Sequence, residues 1–129
     1  AIWYREIYSY VGIIECLSGM PIDIDFINFD DIKDGVLDQY KVVINAGSAY
    51  TSWSGAKNWI DEVVVTKVRQ WVDQGGGFIG VGEPTAYQYQ GQFFQLSDVL
   101  GVDKEIGVSC LTTALPAINK IFKAEILRQ

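Results

Sequence analysis

Glu83 is the carboxylate best placed to do chemistry in this sequence, because it stands in Gly82-Glu83-Pro84, where an apolar run stops in a sharp turn. A second run ends in Asn45-Ala46-Gly47-Ser48, which offers an amide and a hydroxyl beside a glycine. Ligands of open parallel sheets collect beyond such strand ends. Glycine there admits a close neighbour or a tight turn, so the two segments read either as ligand or interdomain contacts or as plain strand-to-loop exits. Cleaving a glycosidic bond takes two carboxylates about 5 to 9 Å apart, and no second one is aimed at Glu83. The expected contact set is therefore Asn45, Gly47, Ser48, Glu83 and Thr85, with no catalytic residue among them.

The histidine count is zero. Histidine-based triads, histidine general bases and His-ligated zinc are excluded within these residues. Cys16 and Cys110 stand far apart without a C-x-x-C pair, and Cys16 is expected as a buried free thiol on a helix. Asp23, Asp25, Asn28, Asp30 and Asp31 imitate a calcium loop, but Ile27 takes a ligand position and Asn28 the place of the required glycine. Gly80-x-Gly82 imitates a dinucleotide fingerprint, with Thr85 where the third glycine belongs. No metal and no cofactor are expected.

Elements that would position these residues follow from periodicity. Trp3, Ile7, Tyr10, Ile14 and Leu17 form one helical stripe, closed by Gly19 and Pro21. Strict alternation over residues 22–26, continuing through Ile27 to Phe29, predicts an outer strand, and residues 30–39 a short helical turn. Lys41-Val42-Val43-Ile44-Asn45 and Phe78-Ile79-Gly80-Val81 read as strands of a parallel sheet. Between them a helix is predicted over 59–74, with Asn58 as cap and Val64, Val68, Trp71 and Val72 facing inward. A short helix is predicted over 92–100, and Pro116 can start a terminal one. The rhythm is that of right-handed crossovers, an α/β three-layer domain with a mostly parallel, flavodoxin-like sheet. For such a fold the opening on a helix is the expectation of a first strand absent from these residues or supplied elsewhere, as in a piece of a larger protein.

The chain has 129 residues, room for one domain, and a net charge of −6 without any run of five like charges. That balance argues against nucleic acid as partner. No apolar stretch approaches a membrane span and no signal peptide opens the chain, so a cytoplasmic setting is the default expectation. Tyr50, Trp53, Trp59, Tyr87 and Tyr89 suit either sugar faces or core and interface packing.

Ile44-Asn45-Ala46-Gly47-Ser48-Ala49-Tyr50 with Trp53-Ser54-Gly55, then Val68 to Val72, Gly75 to Pro84 and Phe93 to Asp103, resemble the central domain of the galacto-N-biose/lacto-N-biose phosphorylases. Leu17 to Pro21 fits as well, and the resemblance covers residues 3–107, leaving 108–129 as a segment of uncertain status. It implies a parent of the glycosyltransferase class that cleaves β-1,3-galactosyl-N-acetylhexosamine with phosphate, giving galactose 1-phosphate and the N-acetylhexosamine. It also implies a catalytic acid on an N-terminal TIM-type barrel, and a class I glutamine-amidotransferase-like fold for residues 1–107. The cysteine elbow of amidotransferases has its counterpart in the Gly82-Glu83-Pro84 turn, which lacks cysteine and histidine, so that activity is not inherited. A non-catalytic domain beside the barrel is the resulting expectation. Its rivals are an architectural dimer or interdomain module and an independent sugar-binding module.

Overall fold

The computed structural model describes residues 2–47, 54–90 and 92–104, with residues 2–7 as backbone alone. Helix α1 (Ile2–Leu17) packs against β1 (Val42–Gly47). Tyr10, Ile13 and Leu17 are half-buried, whereas Ile14, expected on the inner stripe, is exposed. Steps of three and four both fit a helical seam, and the half-buried side here is the one that carries Tyr10, Ile13 and Leu17. Cys16 is exposed and free, which corrects the expectation of a buried thiol; Cys110 and the residues around Pro116 lie outside the described residues.

Residues 22–28 form no strand. The alternation is present, yet a ladder needs a neighbour, and the main chain of residues 23–27 bonds to none of the described residues. The acidic cluster that follows starts helix α2 (Phe29–Lys33). Asn28 Oδ1 accepts from the Asp30 and Asp31 amides at 2.8 and 3.1 Å, and the Asp31 carboxylate accepts from the Asn28 amide at 2.8 Å. This closed capping box satisfies the first helical N–H groups and accounts for the polar spacing without a metal.

Helix α3 (Glu62–Asp73) begins later than predicted, because Ala56–Ile60 forms a separate 3-10 turn and Asp61, not Asn58, is the cap. Asp61 Oδ1 accepts from the Val63 amide at 3.0 Å, and its other oxygen lies 2.9 Å from Lys33 Nζ. One carboxylate thus starts α3 and ties it to α2. Strand β2 (Gly77–Gly82) pairs in parallel with β1, from Val42 opposite Gly77 to Gly47 opposite Gly82. Where the helix over 92–100 was predicted, the chain forms the antiparallel pair β3 (Ala86–Tyr89) and β4 (Gln92–Phe94), then α4 (Ser97–Leu100). Phe93 and Phe94 are both buried, which a short hairpin against Ala86 and Leu100 achieves and one helical face does not.

The core lies on the α3 side of the sheet. Val64, Val65, Val68 and Trp71 of α3 meet Ile32, Leu37, Trp59 and Leu96, with Val43 and Phe78 of the two strands against them. Trp59 packs edge-on against Phe29 at 5.1 Å and Phe78 at 6.4 Å, and its indole N–H donates to the Ser54 carbonyl. The Trp71 N–H reaches the Tyr40 carbonyl at 3.3 Å. Both indoles therefore bury their apolar bodies with the polar handle satisfied.

Leu96 is fully buried and joins the hairpin to this core. Leu96→Ala is expected to lower unfolding free energy by about 2–5 kcal/mol, as large core truncations do, and urea denaturation measures it; a loss below about 1 kcal/mol contradicts the packing described. Arg69 grips Asp98 of α4 with two bonds, Nε to Oδ2 at 2.7 Å and Nη2 to Oδ1 at 3.2 Å. That guanidinium holds the Asp98 carboxyl below its ordinary value. A depressed folded value stabilises the protein above the unfolded carboxyl pKa, about 3.9, and the contribution fades as pH falls through the folded value. Both side chains are partly exposed, so solvent screening limits the difference between wild type and Asp98→Asn to at most about 1 kcal/mol. It should be present at pH 6 and shrink on acidification below about pH 4 in urea denaturations at each pH.

Candidate functional site

The carboxyl ends of β1 and β2 lie side by side, and Asn45, Gly47, Glu83 and Thr85 meet there. Ser48, Tyr50 and Trp53 fall outside the described residues. Asn45 is central. Its Oδ1 accepts from the Thr85 amide at 2.8 Å, and its Nδ2 donates to the Ser54 carbonyl at 3.1 Å. The same carbonyl takes the Trp59 indole N–H. The Asn45 carboxamide therefore links the end of β1 to the turns on either side of it.

Thr85 is fully buried and has φ of +54°, a region costly for a β-branched residue. Three bonds hold it there: its amide to Asn45, its carbonyl from the Gln95 amide at 3.0 Å, and its hydroxyl from the Leu96 amide at 3.3 Å. Gly82 is likewise left-handed at φ +77°, and a Cβ on it would sit 3.0 Å from the Gly47 carbonyl oxygen. That oxygen accepts from the Glu83 amide at 2.8 Å. On Gly80 a Cβ would run into the Pro84 ring. The close approach that these glycines permit is used by the chain itself.

The Glu83 carboxylate pairs with Lys104, whose ammonium also lies 4.8 Å from the centre of the Phe93 ring. Asp103 places it: Asp103 Oδ1 accepts from the Phe94 and Lys104 amides, each at 2.8 Å. Sequence reasoning missed Lys104, Asp103 and Ser54, because what brings them to Glu83 and Asn45 is the β3–β4 hairpin and the 3-10 turn, neither of which periodicity revealed. Of the aromatics considered for sugar stacking, Trp59 is buried in the core, Tyr87 is half-buried and Tyr89 is exposed. The depressions found among the described residues lie elsewhere, one of about 180 Å³ between Leu37, Lys67 and Trp71 and another at the opposite ends of the strands. Among the described residues no three histidine, cysteine or acidic side chains converge as a metal site, and no helix is long and apolar enough to cross a membrane.

Two parallel strands joined by a helix, with their carboxyl ends bound together by side-chain bonds, make a β-α-β unit. The chain belongs to the family described as the lacto-N-biose phosphorylase central domain, whose model matches residues 1–118. It is 53% identical over 114 residues to a 1,3-beta-galactosyl-N-acetylhexosamine phosphorylase of Lachnoclostridium phytofermentans, covering 87% of this chain and 16% of that protein. It is 47% identical over 104 residues to the 1,3-beta-galactosyl-N-acetylhexosamine phosphorylase of Bifidobacterium longum subsp. longum, covering 78% and 14%. A third relative, the D-galactosyl-beta-1->4-L-rhamnose phosphorylase of L. phytofermentans, is 40% identical over 106 residues, covering 81% and 15%. The chain thus spans about a sixth of the length of these relatives. The resemblance drawn from the sequence motifs is borne out, and the family match runs on to residue 118.

Asn45→Ala removes two bonds at once and leaves the buried Thr85 amide unsatisfied, a loss of about 2–3 kcal/mol. Urea denaturation reads the stability, and hydrogen exchange should show the Thr85 amide exchanging faster than in wild type while the α3 amides keep their protection. Unchanged stability and exchange would remove Asn45 from its linking role.

Proposed function

We propose that this chain is the central domain of a phosphorylase that transfers a galactosyl group from a disaccharide to inorganic phosphate, without itself supplying the catalytic acid. For β-1,3-galactosyl-N-acetylhexosamine the bond between the galactose anomeric carbon and the glycosidic oxygen breaks, and a bond from that carbon to a phosphate oxygen forms. The products are galactose 1-phosphate and the free N-acetylhexosamine, whose oxygen takes up the proton. The observation that carries the reading is family membership: the relatives are named as phosphorylases of galactosyl disaccharides. Their names share the galactosyl group but not the sugar attached to it, which favours a role for this domain in what they have in common.

Non-catalytic standing is supported by how the polar groups at the strand ends are used. Both amide atoms of Asn45 are bonded within the chain, Thr85 is buried, and Glu83 faces an ammonium. The Glu83 carboxylate is engaged by the Lys104 ammonium, and that pairing holds it within the chain. In this reading the domain has a flavodoxin-like three-layer fold and stands beside a TIM-type barrel. Asn45, Gly47, Ser48, Glu83 and Thr85 form the face nearest the barrel and help shape the galactosyl-phosphate pocket. The strained backbone at Thr85 supports that choice of face, since such conformations cluster at functional sites. A second reading, an architectural module for interdomain or dimer contacts, is favoured by Tyr8, Val11 and Ile14, which stand exposed on α1.

Steady-state phosphorolysis by the full-length enzyme separates these roles. Glu83→Gln is expected to lower kcat/KM by less than about tenfold, against the roughly 10²–10⁴-fold contribution of a general acid or base. A loss of kcat in that larger range would make Glu83 catalytic and overturn the reading. No change in kcat or in either KM would favour the architectural module, and saturable binding of galactosides by the 129-residue chain alone would favour an independent sugar-binding module.

A further inference from the structure

Residues 84–97 carry no charged side chain, although 20% of the whole chain is charged. The exposed part of that stretch is the β3–β4 hairpin, where Tyr89 is 46% exposed and Gln88, Gln90 and Gln92 are exposed with it. A phenol ring among carboxamides presents an apolar plane together with donors and acceptors, and no charge. That chemistry suits a neutral polyol, whose C–H groups lie on the aromatic plane while its hydroxyls bond the amides. A dianion such as phosphate finds no cation in this stretch.

Strand β3 follows directly on Thr85, which Asn45 holds, so the hairpin stands at the carboxyl ends of β1 and β2, where ligands of parallel sheets collect. Its base is fixed. The buried Gln95 carboxamide donates to the Tyr87 carbonyl and, at 3.1 Å, to the Gln92 carbonyl, so one side chain staples both strands. A two-stranded ribbon is marginal by itself in water, and this staple with the Thr85 bonds holds it in one geometry. Tyr89 lies directly opposite Gln92, which sets their side chains beside each other on one face. From the Ala86–Phe94 pair to the Tyr89–Gln92 pair the chain takes three steps along β3 and two along β4. Such a bulge twists a strand and re-aims its side chains, and bulges are over-represented next to active sites.

Backbone strain gathers at the same place. The non-glycine residues with positive φ among the described residues are Ala56, Thr85 and Gln90. Thr85 and Gln90 bound β3 at its two ends, and Ala56 opens the 3-10 turn that packs on β3. Gln90 has φ of +50° in an exposed turn, a conformation that glycine or asparagine adopts at less cost. A glutamine there gains nothing from the core, so the use of its side chain lies outside the domain.

Resting on the phosphorylase reading above, we propose that the β3–β4 hairpin is a sugar-holding arm of the parent enzyme, in which Tyr89, Gln90 and Gln92 contact a neutral ring of the disaccharide and take no part in binding phosphate. The Tyr89 ring covers one face of that sugar, and the two carboxamides bond its hydroxyls. None of the three moves a proton, so their contribution is to binding and falls on KM.

Steady-state kinetics of the full-length enzyme, with disaccharide and phosphate varied in turn, measure this. Tyr89→Ala is expected to raise the disaccharide KM about tenfold, the size of one lost ring contact, with kcat and the phosphate KM within about twofold of wild type. Gln90→Gly separates contact from scaffold: glycine relieves the left-handed strain, so the melting temperature stays level or rises, yet the disaccharide KM rises about threefold or more. A rise confined to the disaccharide, in a variant of undiminished melting temperature, supports the arm. No such rise in either variant overturns it, as does an equal rise in the phosphate KM. In the direction of synthesis galactose 1-phosphate and the N-acetylhexosamine are varied separately, and the one whose KM rises contains the ring held. Unaltered KM values with loss of a dimer in sedimentation assign the hairpin to a protein interface and overturn the arm. A wild-type enzyme that phosphorolyses no galactosyl disaccharide overturns the phosphorylase reading itself, whereas wild-type turnover with unaltered KM values in the variants overturns the arm alone.

Discussion

The carboxamide of Asn45 is the interaction on which the carboxyl-end architecture depends. It closes on Thr85 on one side and on Ser54 on the other, so a single side chain fixes two turns relative to β1. A buried threonine at positive φ costs about 1–3 kcal/mol. Its three hydrogen bonds, at about 0.5–1.5 kcal/mol net each, are sufficient to offset that cost. Asparagine suits the position because it presents an acceptor and a donor a fixed distance apart; aspartate cannot donate to Ser54, and leucine satisfies neither turn.

From that fixed point the rest of the strand-end surface is built outward. Thr85 passes its carbonyl and hydroxyl to Gln95 and Leu96, which anchors the β3–β4 hairpin and the start of α4. Arg69 then clasps α4 to α3 through Asp98 and the Gln95 carbonyl, the latter at 3.1 Å. On the outside, Lys104 bridges Glu83 to the Phe93 ring, so the carboxylate that looks most available in the sequence is engaged by the hairpin. The polar groups at the strand ends are thus bonded to one another within the chain. They are well suited to holding the strand-end surface in one shape.

Much of this was legible in the residues. The two apolar runs at 42–47 and 77–82 announced the parallel pair, and the period of Val64, Val68 and Trp71 announced α3 and its inner face. The meeting of Asn45, Gly47, Glu83 and Thr85 followed from placing both runs in one sheet. What stayed hidden depended on contacts between elements. Residues 22–28 carry the pattern of a strand but pair with nothing among the described residues, and pattern alone does not make a ladder. Phe93-Phe94 fits a helical stripe as well as a hairpin, and the choice is made by Ala86 and Leu100. Cys16 was misplaced because a hydrophobic-looking residue type says nothing about which side of a helix meets the sheet.

The same logic explains why one face of this small domain is so much better finished than the other. On the α3 side, Trp59, Trp71 and three valines of α3 close over Val43 and Phe78. On the α1 side, Val42 and Ile79 remain half in solvent. Each of those residues forgoes on the order of 1 kcal/mol of burial that a covering element would recover, at about 25 cal/mol per Å².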